Sequence, residues 1–134
     1  MVLDTSHDCW HGPYSAFRAW RCELNMLIAA DREGSSIEWR HVRYMGNTRE
    51  GLQLAWRLGL YDDQTDPLNV LMNHSDCDGW IAADVCGPMA DALQSLMDRR
   101  MPARAMYDTA RPATERFIAG LRKAAAAGEP VRFA

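Results

Sequence analysis

The chain has 134 residues, 48% of them apolar and 25% charged, with a formal net charge of −3. That length predicts a single domain over residues 1–134, large enough to bury a core without staples. The charge argues against general nucleic-acid binding. No apolar run approaches the ~20 residues that span a bilayer. The stretch "MVLDTSHDCW" has neither the basic nor the apolar region of a secretory signal. No membrane partner is therefore expected, and a cytoplasmic setting is. Cys9, Cys22, Cys77 and Cys86 are then expected as thiols or metal ligands rather than a disulfide framework.

"MVLD" predicts a short strand, and "TSHDCWHGP" a loop by its Gly-Pro and polar content. "YSAFRAWRCELNMLIAADREG" predicts a helix, because Phe17, Trp20, Leu24, Leu27 and Ile28 recur at helical spacing. Ser15 is its expected N-cap and Gly34 its stop. "SSIEWRHVRYMG" alternates at Ile37, Trp39, His41 or Val42, and Tyr44, as a strand does. "NTREGLQLAWRLGL" predicts a helix with Leu52, Ala55 and Trp56 inward and Gly59 as its stop; "YDDQTDP" is a polar turn. "LNVLM", short and apolar, is expected as a strand. "PMADALQSLMDRRM" predicts a helix with Pro88 in its first turn and Met89, Leu93, Leu96 and Met97 inward. A last helix is expected from about Pro112 to Ala127, with Phe117, Ile118, Leu121 and Ala125 on its apolar face. Gly128 caps it, and "EPVRFA" runs on extended. The predicted fold is α+β: about four helices packed on a small sheet of two or three short strands.

Val2-Leu3 and Asp8-Cys9 match Val70-Leu71 and Asp76-Cys77 at a constant offset of 68. Four identities do not make a repeat. They do suggest two strands that each end in a His/Asp/Cys loop, which neighbouring strands would bring together at one sheet edge.

The first loop carries Asp4, His7, Asp8, Cys9 and His11. The second, "NHSDCDGW", carries His74, Asp76, Cys77 and Asp78. A structural zinc would draw on His7, Cys9, His11, His74 and Cys77, although the paired C-x2-C spacing is missing. A hard divalent metal would draw on Asp4 or His7 with Asp8, His74, Asp76 and Asp78, and would suit phosphoester hydrolysis. Cys9 or Cys77 as nucleophile is a third reading, since each has a histidine within three residues. The plain alternative is a polar turn whose Ser, Asp and Asn side chains bond nearby amides.

Trp20 and Trp56 fall on apolar helix faces, whereas Trp10 and Trp80 sit inside the two polar loops. There they either lid a helix edge or offer a platform for a nucleobase or sugar ring. From Leu60 to Asp98 there are eight acids and no Lys or Arg; from Arg99 to Lys123 seven basic residues face only Asp108 and Glu115. These segments either neutralise each other or make two surfaces of opposite taste. Arg116 and Lys123 are expected on the solvent side of the last helix. Arg99, Arg100, Arg104 and Arg111 stand at a helix end and in the next loop, where they can complement the helix dipole or fold over an anion.

His74, Asp76, Asp78 and Gly79 in H-x-D-x-D-G spacing resemble the first motif of the DHH-type phosphoesterases, whose later Asp-His-His element is absent here. Over most of the chain, "LDTSHDCWHGPYSAFRAWR", "VLMNHSDCDG" and "TERFIAGLRKAAAAGEPVRF" resemble a set of small uncharacterised proteins of bacteriophages and actinobacteria. Trp80 departs from that pattern, in which an acidic residue tends to follow Gly79. The resemblance implies a binder of a host protein or signalling molecule, commonly a homo-oligomer, acting in the host cell. The leading expectation is a non-catalytic protein that sequesters a small anionic or nucleotide-like ligand, as a counter-defence sponge would. His7, Asp8, Trp10, His11, His74, Asp76, Asp78 and Trp80 would form its site with Arg99, Arg100, Arg104 and Arg111. The alternatives are a metal-dependent phosphoester hydrolase and a host-protein interaction module.

Overall fold

The computed structural model of the protein describes residues 1–32, 48–101 and 110–134. The strand expected over "SSIEWRHVRYMG", the Gly34 stop and Arg104 lie outside the described residues. Within them the fold is α+β, with five α-helices and four short strands.

β1 (Val2–Asp4) pairs antiparallel with β2 (His11–Pro13), Leu3 opposite Gly12 and Asp4 opposite His11. Between them Ser6–Asp8 form a 3-10 turn. α1 (Tyr14–Asp31) follows directly and buries all five expected residues. Pro13, in extended conformation, takes the cap position in place of Ser15. α2 (Arg49–Arg57) starts at Thr48, whose hydroxyl accepts from the Gly51 amide at 3.0 Å, and buries Leu52 and Ala55 as expected.

The "LNVLM" strand is not formed. Residues Pro67–Asn73 make a helix, α3, capped by the Asp66 carboxylate on the Leu68 amide at 2.9 Å. Asp-Pro is a strong helix start, with an N-cap acceptor followed by a preset φ. A five-residue apolar run carries no period that separates strand from helix, so the cap decides. With α3 helical, the 68-residue echo has no structural counterpart: Val2-Leu3 is strand and Val70-Leu71 is helix.

β3 (Trp80–Ile81) leads into α4 (Ala83–Arg100), which begins five residues before the expected start. Pro88 therefore lies inside the helix. Its ring removes the bond to the Asp84 carbonyl, one turn from an exposed helix start, where water replaces it cheaply. α5 (Ala110–Ala127) packs along α4 with Gly87 against Ala125 and Arg122 bonded to Asp91, so the two run antiparallel. β4 (Val131–Arg132) pairs with β3.

The two two-stranded sheets are joined through one segment. Asp4 and Ala134 exchange backbone bonds of 3.0 and 2.9 Å, Thr5 bridges Phe133, and the Phe133 amide donates to the Gly79 carbonyl at 2.9 Å. The resulting order is β2–β1–β4–β3, with residues 131–134 between the two His/Asp/Cys loops. Beneath lies a contiguous core that includes Leu3, Phe17, Trp20, Leu71, Ile81, Leu93, Phe117 and Val131.

Candidate functional site

The first loop is built inward. Trp10 donates its amide to the Thr5 hydroxyl at 2.8 Å and accepts from the Thr5 amide at 3.0 Å, closing the turn. His7 and Asp8 both adopt left-handed backbone, φ 61° and 58°, a conformation unusual for non-glycine residues, in which His and Asp are nevertheless enriched. That reversal pushes Cys9, fully buried, onto α5 at Gly120, where an added Cβ would stand 2.5 Å from the Cys9 sulfur and 2.8 Å from its backbone. Burial raises the Cys9 thiol to about 12, so it is not a nucleophile at neutral pH. His7 is held by Ser6 at 3.0 Å and by Glu129 at 3.4 Å; His11 faces Asp4 at 3.4 Å.

Trp10 is not a free platform. Its ring packs on Phe17 and Trp20 at centroid distances of 5.2 and 5.4 Å. Its outer side borders a cavity of about 230 Å³ with Cys9, His11, Pro112, Ala113 and Arg116. Arg116, exposed on the solvent side of the last helix as expected, also donates to the Asp8 carbonyl at 3.2 Å.

The second loop is built around Asp76. Arg18 reaches its Oδ2 through Nε at 2.9 Å, and Arg21 meets Oδ1. Arg21 is 1% exposed. It also donates to the Leu71, Met72 and His74 carbonyls, the loose end of α3, and lies between the rings of Phe17 and Trp56 at 5.1 and 5.8 Å. Burial lowers its pKa and the Asp76 carboxylate opposes that shift. Asp76 is thus the counter-ion of a buried guanidinium, with its oxygens already taken.

His74 stacks on Phe133 at 4.0 Å, with Nδ1 2.9 Å from the Ser75 carbonyl and Nε2 3.2 Å from the Trp80 carbonyl. Ser75 Oγ accepts from the Cys77 and Asp78 amides. Gly79 turns the chain at φ +92°, a value that side chains rarely adopt. Trp80 emerges 68% exposed.

Among the described residues the cavity at the first loop shares no lining residue with the two at the second. Residues 131–134 run between them, so His7 and Asp8 stand on one side and His74, Asp76 and Asp78 on the other. Among the described residues no three His, Cys, Asp or Glu side chains converge on a position for a metal ion. The divalent-metal set His7, Asp8, His74, Asp76 and Asp78 and the zinc set are therefore not assembled. Cys77 is exposed, and the side chain beside it is Ser75, at 3.5 Å, not a histidine.

The described members of the expected arginine set, Arg99, Arg100 and Arg111, are elsewhere too. Arg99 and Arg100 both grip Asp31 at the end of α1, at 2.9 and 3.2 Å. Arg111 donates to the Met101 carbonyl and pairs with Glu115 at 3.1 Å. The arginine beside the second loop is Arg132, directly opposite Trp80 in the β3–β4 register. Residues opposite each other in an antiparallel pair project from one face. Among the described residues Arg132 has no carboxylate partner.

An open cavity of about 390 Å³ lies along the outer side of this loop, lined by Gln64, Val70, Asn73, His74, Ser75, Asp78, Gly79 and Trp80. On its inner side Arg21, Trp56, Asn73 and Asp76 line another of about 300 Å³. Gln64, Asn73 and Arg132 carry no motif, so spacing alone does not find them. Arg21, a cation on the apolar face of α1 beside Trp20, was the readable sign of a buried ion pair. Comparison of the chain with protein-family models, with curated proteins and with solved structures finds no match.

Proposed function

We propose that the protein is a non-catalytic binder of a small nucleotide-like ligand, held at the second loop. One observation carries this reading: an indole 68% exposed at the mouth of a polar cavity of about 390 Å³. A large aromatic surface left in water beside polar groups is a stacking platform whose ring partner comes from outside. Arg132, on the same face and without a carboxylate, supplies a planar fork for a phosphate. Asp78 and the amides of Asn73 and Gln64 supply polar atoms for a base edge.

Catalysis finds less support. Asp76 is spent on Arg18 and Arg21, Cys9 is held protonated by burial, and a hydrolase would need an assembled metal or base.

Native mass spectrometry of the purified protein with nucleoside monophosphates, before and after denaturation, tests this reading. The expected result is an adduct of a few hundred daltons per chain that denaturation releases, and that Trp80→Ala loses while remaining folded. Arg132→Ala should weaken the monophosphate but not the nucleoside. Retention of the adduct in Trp80→Ala would reject the site.

A further inference from the structure

We infer that the cavity at Trp80 selects guanine among the bases; this rests on the nucleotide reading above and sharpens it. The argument comes from one backbone carbonyl. The side-chain NH₂ groups of Gln64 and Asn73 both donate to the oxygen of Tyr61, that of Gln64 at 2.9 Å. A carbonyl oxygen only accepts, so this shared partner fixes the orientation of both amides and leaves Oε1 of Gln64 and Oδ1 of Asn73 uncommitted, each beside the second N–H of its own amide.

The other lining groups agree. Asp78 uses only its backbone amide, on Ser75, and its exposed carboxylate has no side-chain partner among the described residues. Both ring nitrogens of His74 face carbonyls of the loop itself, at 2.9 and 3.2 Å. Among the described residues the uncommitted side-chain donors at the cavity are the Ser75 hydroxyl, which lies 3.5 Å from the Cys77 sulfur, the Trp80 indole and the second N–H of each amide. Among the described residues no Lys or Arg lines this cavity, and none occurs between Leu60 and Asp98. A ring stacked on Trp80 therefore meets the uncommitted Asp78 carboxylate as the one charged acceptor of this edge among the described residues.

The bases differ in what they offer such an edge. Guanine presents two adjacent donors, N1–H and the 2-amino group, which match the two oxygens of a carboxylate. Adenine and cytosine each place a ring acceptor beside their single amino group, and that lone pair would face the carboxylate. Uracil offers one N–H flanked by two carbonyls. Loss of one half of a bidentate pair, or a lone pair opposed to a carboxylate, is the usual source of discrimination between bases.

The test is calorimetric titration of the full chain with GMP, IMP, AMP and UMP, repeated on Asp78→Asn and Trp80→Ala. GMP should bind at least about tenfold more tightly than AMP or UMP, with IMP, which lacks the 2-amino group, between them. In Asp78→Asn, GMP should weaken by about tenfold and AMP should not, since an amide can donate to adenine N1. Equal binding of all four, lost in Trp80→Ala, would overturn the guanine preference and leave the stacking site standing. A preference for AMP would overturn it as well. Absence of binding by all four at millimolar concentration would reject the nucleotide reading itself.

Discussion

The two His/Asp/Cys loops share a residue vocabulary and differ in what holds them. The first is fixed by its cysteine, buried on Gly120, with its acid exposed on a left-handed turn. The second is fixed by its acid, drawn onto Arg18 and Arg21, with its cysteine exposed. In each, one polar or sulfur group anchors the loop inward. The first then has its tryptophan packed on the core, whereas the second has Trp80 in solvent. Composition alone does not distinguish a structural loop from a binding loop. What separates them is which residue the nearest helix demands: a small thiol where α5 carries glycine, a carboxylate where α1 carries a buried arginine.

The sharpest way to break this contrast is Asp76→Ala. It leaves Arg21 charged and unpaired inside the protein, so urea unfolding should show a loss of about 3–5 kcal/mol. Next, Gly120→Ala should cost about 1–3 kcal/mol through overpacking on the first loop. Cys9→Ala should not rescue it fully, because the new methyl also meets the Cys9 backbone at 2.8 Å; a double-mutant cycle by urea unfolding measures the residue.

A control lies away from both loops. Hydrogen bonds from Arg99, and then from Arg100, hold the Asp31 carboxyl below its ordinary value of 3.8 in spite of burial. Stability from this cluster is therefore present above that pH and lost as pH falls through the lowered folded value. Asp31→Asn should remove about 1 kcal/mol or less at neutral pH, and flatten the acid limb of the stability profile below about pH 4. Smallest of all, Cys77→Ser should change stability by less than about 0.5 kcal/mol. The paired expectation is that a thiol reagent labels Cys77 rapidly in the native protein and Cys9, Cys22 and Cys86 only on unfolding, as mass mapping would show.

The long helices were legible because their apolar spacing repeats over several turns: the expected inward residues of α1 and α4 are buried. The strand expected at α3 failed because five residues hold no full period, and the Asp66-Pro67 start decided the short apolar run for helix. The strand Trp80–Ile81 was missed for a related reason. Two residues make a strand only through a partner, and that partner is more than fifty positions away. Of the site, Asp78, His74 and Trp80 were visible as unusual residues in a loop. Asp76 was visible but assigned to a ligand, since its true partners Arg18 and Arg21 lie on another element. Gln64 and Asn73 enter only because a turn carbonyl orients them.

The segment 131–134 between the loops bears on how the protein folds. Pairing of Asp4 with Ala134 closes a stretch of roughly 130 residues, an entropic cost met only once most of the chain is ordered. The α4–α5 pair and the local β1–β2 hairpin can assemble early, and the pairings to residues 131–134 must come last. The second loop, whose β3 pairs with β4, then takes its final shape after the folding barrier is crossed. A ligand seated on Trp80 should accordingly slow unfolding and leave the folding rate almost unchanged.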